Sequence, residues 1–503
     1  MSDAAGLASV LATLGPEDGT LPWPRYRLDR ESWRGLIARL ATVDWSLVAL
    51  WGEEKTVQLA LRDEVAGTQA LARLDCPEGS YPSLAAVRPG AIRLERAIRD
   101  LHGLDAEGAA DTRPWLDHGR WGAISRLIAA APYPFLPVEG EGVHQIPVGP
   151  VHAGIIEPGH FRFHANGETV VRLEERLGYV HKGTERLMQG KTALEAARLA
   201  GRLSGDATVA YAIAFARAVE AALGVEPPPR AVYLRALMAE LERIANHFGD
   251  FGAICNDAAF GFIQAHATVA REGVLRAAET CFGHRLMMDR VVPGGVAVDL
   301  AEAAGPRVAL LMTELADSLA YLMRIYDNKP SLQDRTVSTG VALSELVHRF
   351  AAGGFVGRAS GRAVDARKSP GYPPYDDLDF DIPTRSEGDV HARLMIRIEE
   401  LKQSFRLVEQ LLERMPQGEI RRELPSAVGG GGSGEGIAEV ESFRGDVFVY
   451  VKLDGEGRVI RCHPRDPSWF QWPLLEACVE NNIVADFPLC NKSFNCSYSG
   501  HDL

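Results

Sequence analysis

The chain has 503 residues, 46% of them hydrophobic and 24% charged, enough for two or three globular domains. Its 54 Lys and Arg against 67 Asp and Glu leave a net charge of −13, which argues against a nucleic-acid binder but leaves room for a basic face that docks a partner. The segment Met1–Thr20 lacks the charged and apolar regions of a signal peptide, and no apolar run nears the ~20 residues of a membrane helix; the best candidate, Ala207–Ala216, stops at Arg217. A cytosolic chain with no direct membrane span is therefore expected. Its seven cysteines, Cys76, Cys255, Cys281, Cys462, Cys478, Cys490 and Cys496, include no C-x-x-C pair, and a disulfide framework is not expected in such a chain.

From Trp23 to Trp121 the pattern predicts a small α+β unit. Ser46–Gly52 and Thr56–Arg62 read as a hairpin, and Ala91–Leu104 as a helix with Ile92, Leu94, Ile98 and Leu101 on its apolar side. A Pro- and Gly-rich stretch, Pro132–Gly149, separates this unit from the remainder. His160–Ala165 and Glu168–Leu173 flank Asn166-Gly167, a strong hairpin signal. Three long helices are predicted next: Arg230–Phe248, Arg307–Tyr326, and a stripe from Val390 to Leu412 with apolar residues three or four apart. Ser426–Gly436 reads as a flexible or close-approach glycine loop, Val447–Leu453 with Arg458–Cys462 as another hairpin, and the remaining C-terminal segment as poor in regular structure. No G-x-G-x-x-G follows a strand, so any NAD or flavin belongs to other subunits.

Several strings carry a resemblance: GPVHAGIIEPGHFRF (Gly149–Phe163), GYVHKGTERL (Gly178–Leu187), PRAVYLRALMAELERIANH (Pro229–His247), VPGGV (Val292–Val296), RKSPGYPPYDDLDFDIP (Arg367–Pro383) and ESFRGDVFVYV, which ends at Val451. In this order they resemble the large subunits of group 4 membrane-bound nickel–iron hydrogenases and the 49-kDa-type subunits of respiratory complex I. YPSLAAVRPGAIRLERAIRDLHGL (Tyr81–Leu104) is similar to the 30-kDa-type complex I subunit, fused to the large subunit as in formate-hydrogenlyase-type chains. The resemblance implies an α+β domain over 1–135. Over 136–503 it implies a mainly α-helical hydrogenase-large-subunit-like domain with peripheral β-hairpins. Implied partners are a small iron–sulfur subunit of the 20-kDa type, which carries the clusters, and antiporter-like membrane subunits, placing the chain on the cytoplasmic face of the inner membrane.

The same family supplies a nickel–iron centre with two C-x-x-C pairs, thiolate softness selecting the metals. Here Ser204 and Ala207 stand at the first pair, and Ser497 and Gly500 align with the second. The chain is therefore expected to bind no such centre. Complex I subunits use the vacated cavity for a quinone headgroup, and His152 and Asp257 match positions near it, whereas Glu157 and His160 resemble the Glu and His of the hydrogenase R-x-E-G-H pattern, whose Glu lies by the metal and takes part in proton transfer. His152 in that loop would hydrogen-bond a carbonyl or pass a proton; its plainer role is a histidine satisfied by backbone. Asp257 would relay protons if buried, or simply cap a turn; Glu157 would line the cavity or pair with Arg162. The family's quinone-side tyrosine corresponds to Gly205, while Tyr211 aligns elsewhere. Arg367, Lys368, Glu441 and Arg444 also match family positions, although in isolation each reads as a solvated charge. Three readings follow: an oxidoreductase subunit shaping a proton- or quinone-linked cavity, a structural scaffold, and an active hydrogenase, the last opposed by the ligand chemistry.

Overall fold

The computed structural model describes residues 6–12, 17, 22–117, 133–154, 156–425, 428 and 432–503. Trp121, Pro132 and most of the glycine loop 426–431 lie outside them, as does most of Met1–Thr20. The first unit is a four-stranded sheet ordered β1-β4-β3-β2, formed by β1 (Arg25–Leu28), β2 (Trp45–Glu53), β3 (Thr56–Asp63) and β4 (Thr68–Asp75). The expected hairpin is β2–β3, with Glu53 opposite Thr56. Helix α1 (Arg30–Leu40) and α2 (Ala91–His102) accompany the sheet, and α2 closes on Gly103 in the left-handed conformation (φ 69°), which glycine adopts without a Cβ penalty.

A short parallel pair, β5 (Ser80–Pro82) and β6 (Asp105–Glu107), precedes a second sheet of β7 (Val143–Val148), β8 (His160–Asn166) and β9 (Thr169–Arg176). The turn at Asn166-Gly167 is where it was expected, but β7 lies inside the stretch read as a loose connection, paired to β8 across six residues.

The helical body contains α3 (Thr208–Leu223), α4 (Pro229–Asp257), α5 (Gly261–Phe282), α6 (Ala304–Asp327) and α7 (Val390–Glu413). The stripes read from sequence are α4, α6 and α7; α4 runs nine residues past Phe248, because Phe251, Ile254 and Cys255 continue its buried face. Helix α3 is buried on nearly every side, so it offered no stripe to read.

Two expectations are corrected. The last strands, β12 (Gly434–Ser442), β13 (Gly445–Leu453) and β14 (Val459–Arg465), following the two-residue pair β10 (Val291–Val292) and β11 (Gly295–Val296), are not a peripheral hairpin. They form an antiparallel sheet buried almost throughout, between α3 and the first sheet. A buried cluster of Val48, Ala49, Trp51, Ala60 and Leu71 with Ile437, Phe448 and Tyr450 joins the two sheets. The C-terminal segment is regular: α8 (Ser468–Val479), α9 (Phe487–Phe494) and α10 (Tyr498–Asp502). It hid from periodicity because Trp469, Phe470, Trp472, Leu474 and Leu475 bury all round α8.

Candidate functional site

Two of the four positions implied to carry metal thiolates meet, although they are 293 residues apart in sequence. Ser204 lies in extended backbone just before the turn that opens α3, and Ser497 is the N-cap of α10. Their hydroxyl oxygens are 2.8 Å apart and both residues are buried. A proton order satisfies every bond: the Gly500 amide donates to Ser497 Oγ (2.9 Å), Ser497 to Ser204, and Ser204 to Asp206 Oδ1 (2.7 Å).

Asp206 ends this chain on Arg444, whose Nη2 donates to it at 2.6 Å and whose Nε donates to the Asn495 carbonyl at 2.5 Å. Burial raises the Asp206 carboxyl, but the Arg444 charge outweighs it and leaves it below the ordinary range. On the other side, Asp466 Oδ2 accepts the Tyr211 hydroxyl at 2.5 Å and faces Gly500; a Cβ at Gly500 would lie 2.5 Å from that oxygen.

This donor set does not fit a nickel–iron centre. Positions 204, 207, 497 and 500 offer a hydroxyl, a methyl, a hydroxyl and a hydrogen, and both hydroxyls are committed to each other. Burial raises the nearby thiols, Cys490 to about 12 and Cys496 well above its usual value, which disfavours thiolate. Among the described residues, no three His, Cys, Asp or Glu side chains are arranged to hold a metal ion.

Around the hydroxyl chain runs a buried charge network. Lys492 Nζ is 3.2 Å from Asp250, which Arg397 contacts at 3.1 Å and the Asn495 amide at 3.1 Å. Asp257, the last residue of α4, is half-buried; burial raises its pKa and the Lys492 charge partly offsets this. It ends the helix rather than capping one. Further along α4 and α7, the His247 imidazole donates to Glu400 at 2.7 Å, and Arg358 bridges Glu400 (2.7 Å) to Glu441 (2.9 Å). Arg367, Glu441 and Arg444, which read as solvated charges, are buried; Lys368 alone of that set is exposed.

The loop residues sit at the edge of this pocket. The Glu157 carboxylate accepts from the Ser499 amide (3.1 Å), between positions 497 and 500, and no bond joins it to Arg162, whose guanidinium stacks on Phe135. His152 Nε2 donates to the Gly159 carbonyl (2.7 Å), and His160 Nδ1 lies 3.3 Å from the Gly149 carbonyl. Both imidazoles are thus held by backbone within the loop. A Cβ at Gly205 would meet nothing within 4 Å, so the position of the family tyrosine opens on free space.

Sequence reading gave Tyr211 and Arg444 no role in this pocket, and it missed the Asp206–Arg444 pair and Glu242. Glu242 accepts the amides of Val209 (2.8 Å) and Ala210 (3.1 Å), capping α3 from the neighbouring α4. Burial, assisted by the nearby Asp206 charge, raises its carboxyl to about 8 against the bonds that favour ionisation. Only the cross-helix contact reveals it; the signal in LERIANH is a charge on an otherwise apolar face. Folded Glu242 keeps its proton up to about 8, while the unfolded chain loses it near 4.5, so unfolding releases a proton in between and stability falls as pH rises. In Glu242→Gln the slope of unfolding free energy against pH should become less negative, by up to about 1.4 kcal/mol per pH unit. Urea titrations across that range read it; an unchanged slope would contradict a protonated Glu242.

Two family models match this chain. The one described as the respiratory-chain NADH dehydrogenase 49-kDa subunit covers residues 261–429 and 431–502, and the one described as nickel-dependent hydrogenase covers 182–255. The chain is 31% identical to a carbon monoxide-induced hydrogenase of Rhodospirillum rubrum, over 70% of this chain and 97% of that one. It is 34% identical to a subunit of the NADH-quinone oxidoreductase of Roseiflexus sp. (strain RS-1), over 68% of this chain and 94% of that one. Formate hydrogenlyase subunit 5 of Escherichia coli (strain K12) is 28% identical over 85% of this chain and 78% of its own length.

Proposed function

Because this chain belongs to the family that joins complex I 49-kDa subunits to nickel-dependent hydrogenase large subunits, we propose that it is the large subunit of a membrane-associated, complex I-like oxidoreductase whose former metal pocket handles protons instead of nickel and iron. The observation that carries this reading is the hydrogen bond between Ser204 and Ser497, which fills the ligand positions with an ordered hydroxyl chain ending on Asp206. Hydroxyls and carboxyls in a continuous line can exchange protons by small rotations, whereas hard oxygen donors are poor ligands for soft metals.

Asp257 and Lys492 supply one approach to that line, through Asp250 and Asn495, and Glu157 beside Ser499 supplies another. His152 and His160 are placed in the loop at its edge. The filled pocket and the absent tyrosine at Gly205 favour proton transfer over quinone reduction at this spot. In this reading residues 1–135 serve as the 30-kDa-like part and 136–503 as the 49-kDa-like part. Clusters, flavin and NAD lie on partner subunits, beginning with a small iron–sulfur subunit, and antiporter-like subunits lie in the membrane. No helix among the described residues is long and apolar enough to cross a membrane, so membrane attachment would run through those partners.

Elemental analysis of the purified complex is expected to find no stoichiometric nickel on this chain; one nickel per chain would end the reading. In the assembled complex, Asp257→Asn is expected to slow proton-coupled electron transfer about 10-fold or more, the usual scale for a displaced proton donor. Unchanged transfer in both Asp257→Asn and His152→Ala would leave a mechanical scaffold as the better description.

A further inference from the structure

A cleft of about 730 Å³ lies away from the serine pocket, where β4 of the first unit meets α3, β12 and the 370–375 segment. That volume suits a small molecule, and seams between units are where such sites form. Its walls are mainly apolar and aromatic, with Trp23, Tyr372 and Ile437 among them.

Three polar groups that line this cleft have bonds to spare. Arg217, on α3, lies 4.6 Å from the Tyr372 ring centroid, its guanidinium carbon over the ring. Among the described residues it makes no hydrogen bond and no ion pair, and its Nε is buried without a partner. The neighbouring carboxylate cannot serve it, because Glu220 is held by Arg235 in a bidentate pair (3.0 and 2.5 Å) and by the Gly294 amide (2.8 Å). Gln69 is 8% exposed and its amide Nε2 has no acceptor; Glu439 is 3% exposed, and while one oxygen binds Arg62 the other, Oε2, has no donor. A buried donor or acceptor left unpaired costs about 1–3 kcal/mol. Two unpaired donors and one unpaired acceptor, all on residues that line the apolar cleft, would be satisfied by a ligand with complementary groups.

We propose that this cleft binds a small amphipathic carboxylate that also carries a hydroxyl or amino donor: the carboxylate on Arg217 and Gln69, the donor toward Glu439, and the apolar body against Trp23 and Tyr372. Burial lowers the Arg217 pKa, and an anion beside it would oppose that shift. Nothing in this assignment depends on the serine pocket.

Calorimetric titration of the full chain with hydroxynaphthoate, naphthoate and naphthol tests it. Hydroxynaphthoate should bind one per chain, with naphthoate weaker and naphthol at least about 10-fold weaker, since naphthol cannot engage the guanidinium. Arg217→Met should weaken hydroxynaphthoate at least about 10-fold and leave naphthol unchanged, with an unaltered thermal midpoint as the folding control. Gln69→Leu gives a second, independent loss for the carboxylates. Equal affinity for all three probes, undiminished binding in both variants, or no saturable binding of either carboxylate would overturn the proposal.

Discussion

Arg358→Leu is expected to destabilise the protein by about 3–5 kcal/mol, the scale for removing one partner from a buried ion pair. Arg358 is fully buried and contacts Glu400 at 2.7 Å, Glu441 at 2.9 Å and Asp365 at 3.5 Å, and it donates to the Val364 carbonyl at 2.8 Å. Leucine fills much of the volume but leaves the carboxylates it held less compensated. Glu400 would retain His247 and a longer contact to Arg243 at 3.7 Å, and Glu441 only the Ala366 amide.

The loss should also depend on pH. Burial raises Glu400, but Arg358, His247 and Arg243 outweigh it and hold the carboxyl far below its usual 4.5. A folded pKa below the unfolded one gives stability that is present above the unfolded value and disappears as pH falls toward the folded one. The deficit of Arg358→Leu relative to the parent should therefore shrink as pH drops below about 4.5. Urea midpoints with an unchanged m-value would read both effects. A loss under about 1 kcal/mol at neutral pH would mean the network is hydrated and worth no more than a surface pair.

Placing a thiol at position 500, which the resemblance implies as a ligand position, is the next largest expected effect. In Gly500→Cys the new Cβ would lie 2.5 Å from Asp466 Oδ2, 2.8 Å from its Cγ and 2.9 Å from Ser497 Oγ. Asp466 cannot swing away freely, because Oδ2 accepts from Tyr211 and Oδ1 from the Ser468 amide at 2.8 Å. Forced overpacking of this kind costs about 1–3 kcal/mol. Gly500→Ala, which carries the same Cβ without the thiol, should cost a similar amount, and its cost should be smaller in an Asp466→Ala background by about 1 kcal/mol. Thermal midpoints of the three variants measure this coupling. A neutral Gly500→Ala would show that the pocket has room and that its occupation by hydroxyls is incidental.

The elements most legible in the sequence were those with a one-sided burial pattern. Asn166-Gly167 fixed a hairpin because its turn conformation needs only local chemistry, and the Val390–Leu412 stripe marked α7 because one face packs and the other is wet. Where burial is all-round, period carries no information, and α3, α8 and the β12–β14 sheet were missed or taken as peripheral. Gly436 was read as part of a flexible or close-approach loop; it does approach the backbone of α3 closely, but from within β12 rather than from a loop.

The sequence by itself determined which donors are available. With Ser204, Ala207, Ser497 and Gly500 at the positions that the resemblance implies for ligands, no folding could supply four thiolates from those residues. Only the tertiary structure decided what those positions do instead. Ser204 and Ser497 are 293 residues apart, burial raises the Glu242 pKa against the amides of a helix start on another element, and among the described residues Arg217 stands unpaired because Glu220 is already taken by Arg235. Side-chain chemistry is written residue by residue, whereas burial and partnership are properties of contacts between distant segments, and those exist only once the chain has folded.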